Sequence, residues 1–448
     1  MDKIFVFIKK IIPESLFKAL QVPYHYVLNF VAALIYGFPS NKLNVVGITG
    51  TTGKTTAVFM TAELLKSAGY NVGYTSTAMF SDGEKEWLND KKMTMVGRFF
   101  TQKMLRAMVK NGCEVAIVET TSEGVVQYRH KFINYDTMLF TGLYPEHIDS
   151  HGSFENYKNA KLQLFKHLSE SRKKKLHGQN VSKTIIANLD NEHAGDFLNF
   201  EVDKKIAFTQ EEGRNVKCFE CEKINYKFKE LNKKGVCFTF ENTEVQMSVL
   251  GEFNATNATA AGCVGRVLGI SDEEIRKGLE RIPQLPGRLE KIEEGQDFHV
   301  IVDYAFEPVA VTELYETIKV LEPQKIIHVL GSAGGGRDES RRGELGKIAG
   351  EKSNFVIVTN EDPYDDDPME IINEVAKGAK EKNKKENKDL FLIEDRGDAI
   401  QKAISLAQEN DVVLVTGKGS EQAIVVGDCK FIPWDDRNVV REALNLRQ

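Results

Sequence analysis

From residue 43 onward, short apolar runs alternate with stretches in which apolar residues recur at helical spacing. The apolar runs, which are typical of strands buried in a parallel sheet, occupy residues 43–48, 115–119, 137–141 and 184–188. The helical patterns between and after them occupy residues 57–68, 97–110, 157–170, 254–268 and 272–281. This alternation predicts an α/β domain built around a parallel sheet.

Residues 204–250 have a different pattern, in which apolar and polar residues alternate over short stretches. The sequence Val-Cys-Phe-Thr-Phe at 236–240 is one example. Such alternation is typical of strands with one buried face. We therefore expect an insert of antiparallel strands over residues 204–250.

The densest group of proline and glycine residues, Ile-Pro-Gln-Leu-Pro-Gly at 282–287, marks a break in the chain. A second alternating series follows this break. Its predicted strands are 300–303, 325–330, 355–359, 390–393 and 411–416. Its predicted helices are 308–320, 341–350, 368–382 and 396–408. The sequence thus predicts a central α/β domain over residues 41–284 and a C-terminal Rossmann-like α/β domain over residues 285–448.

Residues 1–40 form a short apolar segment ahead of the first predicted strand. The stretch 24–38 carries almost no charge, but it is shorter than the roughly 20 residues that span a bilayer. No small-residue cleavage site follows it, which argues against a signal peptide. We expect two short helices packed on the central domain. Lysines among the apolar residues also suit a peripheral contact with a membrane surface.

Composition narrows the functional classes. The 448 residues carry a net charge of -6, whereas a general nucleic-acid binder usually has a strongly basic face. The six cysteines form no dense framework of the kind found in secreted domains. We therefore expect a cytoplasmic protein with no nucleic-acid partner.

Residues 49–56 read Thr-Gly-Thr-Thr-Gly-Lys-Thr-Thr and lie between the first predicted strand and the first predicted helix. Glycines let backbone N–H groups turn toward an anion, and the helix N-terminus adds its positive dipole end. Lys54 would neutralise phosphate charge, and the Thr55 hydroxyl would ligate Mg²⁺. The usual spacing has glycine where this chain has Ile48. The predicted phosphate-binding residues are Gly50, Thr51, Thr52, Gly53, Lys54, Thr55 and Thr56.

Two further predicted strands lead into polar residues. Glu119 ends the run 115–119, and His147 lies in the segment that follows the run 137–141. Because the carboxyl ends of parallel strands meet at one edge of a sheet, both side chains are expected beside the phosphate loop. A carboxylate there is a suitable Mg²⁺ ligand, and the flanking Glu146 and Asp149 favour a ligand role for His147.

Nine segments, spread over residues 43–430, resemble the Mur ligases, the ATP-dependent amide-forming enzymes of peptidoglycan synthesis. The sequence is most similar to the tripeptide synthetase branch, which adds the third residue of the stem peptide. The segments are the loop at 49–56, the Glu119 segment, Glu-His-Ile-Asp-Ser-His-Gly at 146–152, Tyr-Lys-Asn-Ala-Lys at 157–161, Gly-Glu-Phe-Asn-Ala-Thr-Asn at 251–257, Pro-Gly-Arg at 286–288, Asp-Tyr-Ala at 303–305, Gly-Gly-Arg-Asp at 335–338 and Gly-Lys-Gly-Ser-Glu at 417–421.

This resemblance implies ATP and Mg²⁺ as cofactors, and a UDP-muramoyl-peptide and a free amino acid as substrates. The residues implied in catalysis are Lys54, Lys161, Arg288 and His147. The implied metal ligands are Thr55, Glu119, His147 and Lys161, the last after carbamylation. The residues implied in nucleotide binding outside the loop are Asn254, Asn257, Arg288 and Asp303. The residues implied in substrate binding are Thr94, Thr121, Ser122, Gln127, Arg129, Arg337, Glu361, Asp362 and Glu421.

The sequence departs from the family at both substrate ends. Tripeptide synthetases usually carry an N-terminal domain that holds the uridine, and this chain has residues 1–39 in that place. With few polar groups, that segment is expected to occupy the location without binding the UDP-sugar. In the amino-acid pocket, the family's Asp-Asn-Pro-Arg is Glu-Asp-Pro-Tyr at 361–364, followed by three aspartates at 365–367. Loss of the arginine favours lysine or ornithine over diaminopimelate.

Two other interpretations remain open. One is a Mur-like ligase that extends a different carboxylate, as folylpolyglutamate and cyanophycin synthetases do. The other is a non-catalytic nucleotide-binding scaffold at the membrane. Retention of the implied catalytic and metal-binding residues speaks against the scaffold.

Overall fold

The strands of the protein form two large sheets that follow one another along the chain. The structure is a computed structural model that describes residues 14–145, 151–210, 220–336, 339–428 and 430–447, with the backbone alone for residues 14–22. Strands between residues 44 and 247 build the first sheet, and strands between residues 290 and 415 build the second. The two predicted α/β units therefore each have a sheet of their own.

The first sheet has 11 strands in the order β13-β12-β11-β10-β9-β6-β1-β5-β2-β3-β4. These strands are β1 (Asn44–Thr49), β2 (Val72–Thr75), β3 (Met79–Ser81), β4 (Glu86–Leu88), β5 (Val115–Glu119), β6 (Thr137–Phe140), β9 (Thr184–Asn188), β10 (Lys204–Thr209), β11 (Glu222–Asn232), β12 (Gly235–Phe240) and β13 (Thr243–Met247). A separate hairpin joins β7 (Lys174–Leu176) to β8 (Gln179–Val181). From β11 to β2 all neighbours are parallel, and the two strands at each edge are antiparallel.

Helices cover both faces of this sheet. They are α2 (Lys54–Ser67), α3 (Arg98–Lys110), α4 (Ser122–Val126), α5 (Phe154–Glu170), α6 (Ala194–Leu198), α7 (Phe253–Val267) and α8 (Asp272–Glu280). On one face, α2 and α7 meet through small residues such as Ala57 and Ala258, within a core that continues to β12 and β13. On the other face, α3 and α5 bury residues such as Leu105 and Phe165. The strand ends that carry the candidate site are therefore held by packed helices on two sides.

The prediction of a wholly antiparallel insert over residues 204–250 is wrong in its first half. Strand β10 pairs in parallel with β9, and β11 pairs in parallel with β10. Only β12 and β13 continue as an antiparallel meander. The alternating pattern arises because β11 lies near the sheet edge, where one face is buried and the other is exposed.

The second sheet has six strands in the order β14-β15-β19-β16-β17-β18, parallel except for β14. They are β14 (Glu290–Ile292), β15 (His299–Val302), β16 (Ile326–Leu330), β17 (Phe355–Val358), β18 (Leu390–Leu392) and β19 (Val412–Val415). The helices are α9 (Pro308–Ile318), α10 (Ser340–Lys352), α11 (Pro368–Glu381), α12 (Arg396–Leu406) and α13 (Asp436–Arg447), and β20 (Ala423–Val426) with β21 (Lys430–Pro433) form a hairpin. Every strand and helix predicted after residue 287 is present, with ends that differ by one or two residues.

The N-terminal helix α1 (Glu14–Ile35) packs beside α3 and leads through a 3-10 turn at Pro39–Lys42 into β1. It runs unbroken through Pro23. Residues 1–13, the rest of the segment for which two short helices are expected, lie outside the described residues. Its inner face buries Asn29, Ala32 and Ala33. Its outer face leaves the side chains of residues such as Leu34 exposed. Among the described residues, no helix combines the length and apolarity needed to cross a bilayer.

Candidate active site

A cleft of about 1280 Å³ lies between the two sheets and is lined by residues from both. Its floor on the first sheet is formed by the carboxyl ends of parallel strands and by the loop after β1. Its opposite wall comes from the segment between β15 and α9 and from loops after β17 and β19. This is the position where open α/β sheets bind their ligands.

The phosphate loop has the backbone geometry that its sequence predicts. Gly53 has φ of 77° and precedes α2, and a Cβ atom there would lie 2.5 Å from the amide oxygen of Asn257. Only glycine avoids both the left-handed strain and that clash. The Thr51 amide donates to the Gly142 carbonyl at 2.8 Å, and the Thr141 hydroxyl donates to the Thr52 carbonyl at 2.8 Å. The loop is thus braced against the segment that follows β6.

A buried carboxylate lies beside this loop. Glu119 is 1% exposed and accepts bonds from the Thr55 hydroxyl at 3.0 and 3.1 Å. It also accepts from the backbone N–H of Thr77 at 2.7 Å and from the Thr77 hydroxyl at 3.0 Å. A carboxylate and a hydroxyl this close are the oxygen donors that Mg²⁺ takes next to nucleotide phosphates. Thr77 was not predicted, although it follows the end of β2 and the strand-end rule that located Glu119 applies to it equally.

Lys161 is 1% exposed, and its ammonium group donates to the carbonyl of Gly50 at 2.8 Å. It also lies 4.5 Å from the centre of the Tyr157 ring. The Tyr157 hydroxyl is 3.1 Å from the Thr51 hydroxyl. Helix α5 therefore holds Lys161 buried under the phosphate loop.

The residues implied in nucleotide binding line the cleft from both sides. Asn257 donates to the side-chain oxygen of Asn254 at 3.1 Å, and Asn254 donates to the Leu250 carbonyl at 2.6 Å. On the second domain, the Arg288 guanidinium lies 4.2 Å from the centre of the Tyr304 ring. Asp303 accepts two backbone bonds, and burial raises the pKa of its carboxyl while Arg288 opposes that rise.

The residues implied in acceptor binding form a second group, along α4 and the loop before α3. Thr121 caps α4, and the Ser122 hydroxyl is 3.0 Å from Nε2 of His151. Arg129 donates to the side chain of Gln127 at 2.6 Å and to the carbonyl of Met95. Burial lowers the pKa of His151, so that this ring is neutral near pH 7. His151 was not among the predicted site residues.

Thr94 joins this group to the metal-binding side of the cleft. The Thr77 hydroxyl, which donates to Glu119, lies 2.8 Å from the Thr94 hydroxyl. Two of the predicted residues, His147 and Arg337, lie outside the described residues.

A charged cluster joins the two domains where the amino-acid pocket is implied. The Lys418 ammonium donates to Asp362 at 2.9 Å and to Glu421 at 2.6 Å. The Lys92 ammonium, which comes from the first domain, donates to both oxygens of Asp362 at 2.8 and 2.7 Å and lies 3.2 Å from Glu421. Although burial opposes it, Lys418 and Lys92 hold the pKa of Asp362 below its usual range. Glu361 is buried behind the cleft wall, and burial raises the pKa of its carboxyl.

The aspartates at 365–367 have local structural roles. Asp365 accepts from the Asp428 amide at 2.9 Å, and Asp366 accepts from the Gly335 amide at 2.9 Å. Asp367 caps α11 through the amide of Met369. The carboxylates of the charged cluster are therefore Asp362 and Glu421, and the aspartate run does not contribute to it.

Comparison with known proteins assigns both halves of the chain to one family. Residues 48–265 match the Mur ligase middle domain, and residues 287–419 match the Mur ligase glutamate ligase domain. A UDP-N-acetylmuramyl-tripeptide synthetase of Roseiflexus sp. is 34% identical over 433 residues, covering 95% of this chain and 83% of the relative. One of Borreliella burgdorferi is 36% identical over 417 residues, covering 92% and 78%. A solved UDP-N-acetylmuramoyl-L-alanyl-D-glutamate–2,6-diaminopimelate ligase has a TM-score of 0.58 at 25% identity, covering 91% of this chain and 79% of its own. The chain belongs to the Mur ligase family of ATP-dependent acid–amino-acid ligases.

Proposed function

We propose that this protein joins an amino acid to the peptide carboxylate of a UDP-muramoyl-peptide, with ATP hydrolysed to ADP and phosphate. The observation that carries the proposal is the composition of one cleft. The phosphate loop and Glu119 line its first-domain side, Arg129 lies at the acceptor end, and Asp362 with Glu421 lies on the second-domain side. An ATP-dependent amide synthesis needs these three binding regions to converge.

The chemistry of amide formation explains the cationic groups of the cleft. A carboxylate is a poor acyl donor, because its leaving group would be oxide. Transfer of a phosphoryl group to the carboxylate gives an acyl phosphate, from which an amine displaces phosphate through a tetrahedral intermediate. Negative charge builds on the transferring phosphoryl oxygens, and Lys54 and Arg288 line the cleft at positions suited to stabilise it. Closure of the second domain would keep water from the acyl phosphate.

The buried donor set beside the loop fits Mg²⁺. Thr55 and Glu119 supply hydroxyl and carboxylate oxygens, and the Thr77 bonds hold the carboxylate in place. When bound, Mg²⁺ would neutralise charge on the nucleotide phosphates.

Lys161 is proposed to act as a carbamate. After its ammonium group loses a proton, the free amine would attack carbon dioxide, forming a nitrogen–carbon bond and releasing a second proton. The two proton losses together turn a buried cation into an anion beside the phosphate loop. We expect Lys161→Ala to lose activity and to recover part of it with short carboxylic acids at high concentration. Mass spectrometry of active enzyme in bicarbonate tests the carbamate directly, and a bare amine there, together with no rescue, would refute it.

For the amino acid, a cationic side chain such as lysine or ornithine is proposed. Asp362 and Glu421 already contact the ammonium group of Lys92. This contact supports the fit of a lysine-type ammonium group between the two carboxylates. Tyr364 stands where diaminopimelate-adding relatives have the arginine that pairs a distal carboxylate. A second carboxylate on the incoming amino acid would therefore lack the arginine partner that those relatives provide.

The decisive experiment is an ADP-release assay with UDP-muramoyl-dipeptide and a panel of amino acids. We expect turnover with lysine or ornithine, weaker turnover with diaminopimelate, and none with Lys54→Ala. Folylpolyglutamate-type acceptors serve as the comparison substrates. Turnover with those acceptors and none with the muramoyl-peptide would replace the proposed acceptor, and ATP binding without turnover on any acceptor would favour the scaffold interpretation.

A peripheral membrane contact through α1 is proposed as well. Val27, Leu34 and Ile35 on its outer face are 55%, 57% and 64% exposed, which is unusual for three apolar residues on one helix. We expect the whole protein to float with vesicles that contain anionic lipid, and a Leu34→Ser, Ile35→Ser double variant to remain in solution. Equal flotation of the two proteins would contradict a contact through this face.

A further inference from the structure

Arg129 lines the acceptor side of the cleft, and Arg98 lies near it at the N-terminus of α3. Both side chains are half-buried, and in the part of the chain that the structure describes no carboxylate lies within ion-pair distance of either guanidinium. Buried or half-buried arginines are normally paired, because a desolvated cation without a counter-charge is costly. Burial lowers the pKa of Arg129 first, and the neighbouring Arg98 lowers it further. The Glu123 carboxylate opposes this lowering from a distance, so among the described residues the two cations lack an anion at ion-pair distance.

The position of Arg98 at the N-terminus of α3 increases the need for a bound anion. Arg98 is the first residue of α3, and the N-cap position before it is Gly97, which has no side chain to accept a bond. The first N–H groups of a helix have no intrahelical acceptor, and the helix dipole adds positive charge at this end. A cation at this position is unfavourable in the free protein, and the first turn contains no acidic residue. The free N–H groups, the helix dipole and the Arg98 cation all become favourable when an anion binds at this helix end.

The second arginine supplies an independent observation. Nε of Arg129 is buried and has no hydrogen-bond partner, while its other two nitrogens are engaged by Gln127 and the Met95 carbonyl. Arg129, Gln127 and Met95 all line the cleft. Gly97 and Arg98 come two and three residues after Met95, so the uncapped helix end lies next to the wall on which Arg129 lies.

Helix α1 orients the first arginine. A nitrogen of the Arg98 guanidinium donates to Nδ1 of His25 at 2.7 Å. Because arginine has no acceptor, Nδ1 accepts and the neutral ring carries its proton on Nε2. Burial, then Arg98 and Arg129, lowers the pKa of His25, which keeps the ring neutral. One turn further along α1, Asn29 lies 3.5 Å from the Gln127 carbonyl.

We infer that Arg98 and Arg129, with the N-terminus of α3, form a binding site for the diphosphate of the nucleotide-linked acceptor, and that His25 of α1 is a positioning residue for it. A diphosphate diester carries two negative charges, which match the two guanidinium groups, and arginine pairs with phosphate oxygens through two bonds at once. The phosphates of ATP have their own site at Lys54. Helix α1 thereby contributes to binding of the UDP-linked acceptor, whereas its sequence predicts packing on the central domain without binding the UDP-sugar.

Because the ligand is the nucleotide part of the acceptor, this site rests on the proposed function. The test compares Arg98→Gln with Arg106→Gln, which removes an exposed arginine from the same helix. Each variant is assayed with UDP-muramoyl-dipeptide and with muramoyl-dipeptide that lacks the nucleotide. We expect Arg98→Gln to raise the KM for the UDP-linked acceptor about tenfold or more, with the KM for ATP unchanged. Arg106→Gln should match the wild type.

The nucleotide-free acceptor separates a diphosphate site from a site for the sugar or peptide. It should show no difference between Arg98→Gln and the wild type, because the group that Arg98 contacts is missing from it. Equal losses on both acceptors, or equal behaviour of the Arg98 and Arg106 variants, would overturn the inference. Arg98→Lys keeps the charge and should recover part of the affinity, which a purely structural role for Arg98 would not predict.

Direct binding of UDP, measured by calorimetry without ATP or amino acid, keeps this test independent of the ligase reaction. UDP affinity that is lost in Arg98→Gln and falls with ionic strength supports the site even if the amide acceptor proves to be different. UDP binding that is equal in the wild type and Arg98→Gln would refute it whatever the acceptor. His25→Ala should weaken UDP binding less than Arg98→Gln, since it only orients the arginine.

Discussion

The ion pair between Lys92 and Asp362 is the contact through which we expect the first domain to hold the second. Lys92 lies in the loop after β4, whereas Asp362 and Glu421 belong to the second domain. The ammonium group of Lys92 makes two bonds to Asp362 and a third, at 2.9 Å, to the Ala423 carbonyl. The side chains of Lys92 and Asp362 are 9% and 5% exposed. Replacement by methionine keeps the volume and removes the charge.

The magnitude follows from burial. Removing one partner of a buried ion pair costs about 3–5 kcal/mol, because the remaining charge stays desolvated. Here Lys418 still neutralises part of the two carboxylates, so we expect the lower end of that range. The second domain can relieve this cost by moving away and letting water reach Asp362 and Glu421. A shift of about 3 kcal/mol changes a two-state equilibrium by roughly two powers of ten, which is enough to favour the open form.

The assay is small-angle X-ray scattering of the unliganded protein, with limited proteolysis of residues 282–287 as a second readout. Lys92→Met should show a larger radius of gyration and faster cleavage than the wild type. Lys91→Met is the matched control, because Lys91 is adjacent in the same loop and pairs with Asp90 at the surface. An unchanged radius and cleavage rate in Lys92→Met, with all three proteins folded, would refute the assignment of this ion pair as the contact that closes the domains.

Three further predictions concern the first domain. Lys54→Ala should abolish ADP release while leaving the circular dichroism spectrum unchanged, because it removes a cation from a phosphate site rather than core volume; unchanged turnover would contradict the assigned mechanism. Asp136→Ala should lower the free energy of unfolding by about 3–5 kcal/mol, since it strands two buried lysine ammonium groups, whereas Asp90→Ala at the surface should have little effect in the same denaturant titration. Burial lowers the pKa of His130 to about 2, so below pH 6.5 the unfolded chain takes up a proton that the folded protein does not, and stability falls as pH falls. His130→Phe should reduce the slope of unfolding free energy against pH by about 1.4 kcal/mol per pH unit. His177→Phe at the surface should leave this slope unchanged. Equal slopes for the wild type and His130→Phe would show that His130 is not buried in neutral form.

Much of this fold could be predicted from the sequence because the parallel strands at the centre of each sheet are buried on both faces. A strand such as β5 or β9 is a continuous apolar run, and its ends are marked by the first polar residue. The same rule located Glu119, since a carboxylate directly after a buried strand lies at the ligand-binding edge. Local pattern was insufficient at β10 and β11, where the choice between parallel and antiparallel pairing depends on a neighbour distant in the chain.

The chemistry of the phosphate loop was determined by the sequence itself, because a glycine-rich turn between a strand and a helix creates its anion site from its own backbone. Only the tertiary structure decided which side chains distant in the sequence form ion pairs or hydrogen bonds with each other. Lys92 meets Asp362 across 270 positions, and His25 meets Arg98 across 73. No local period encodes such pairs. Their energies come from desolvation and Coulomb interaction, which depend on how two domains and the N-terminal helix come together in space.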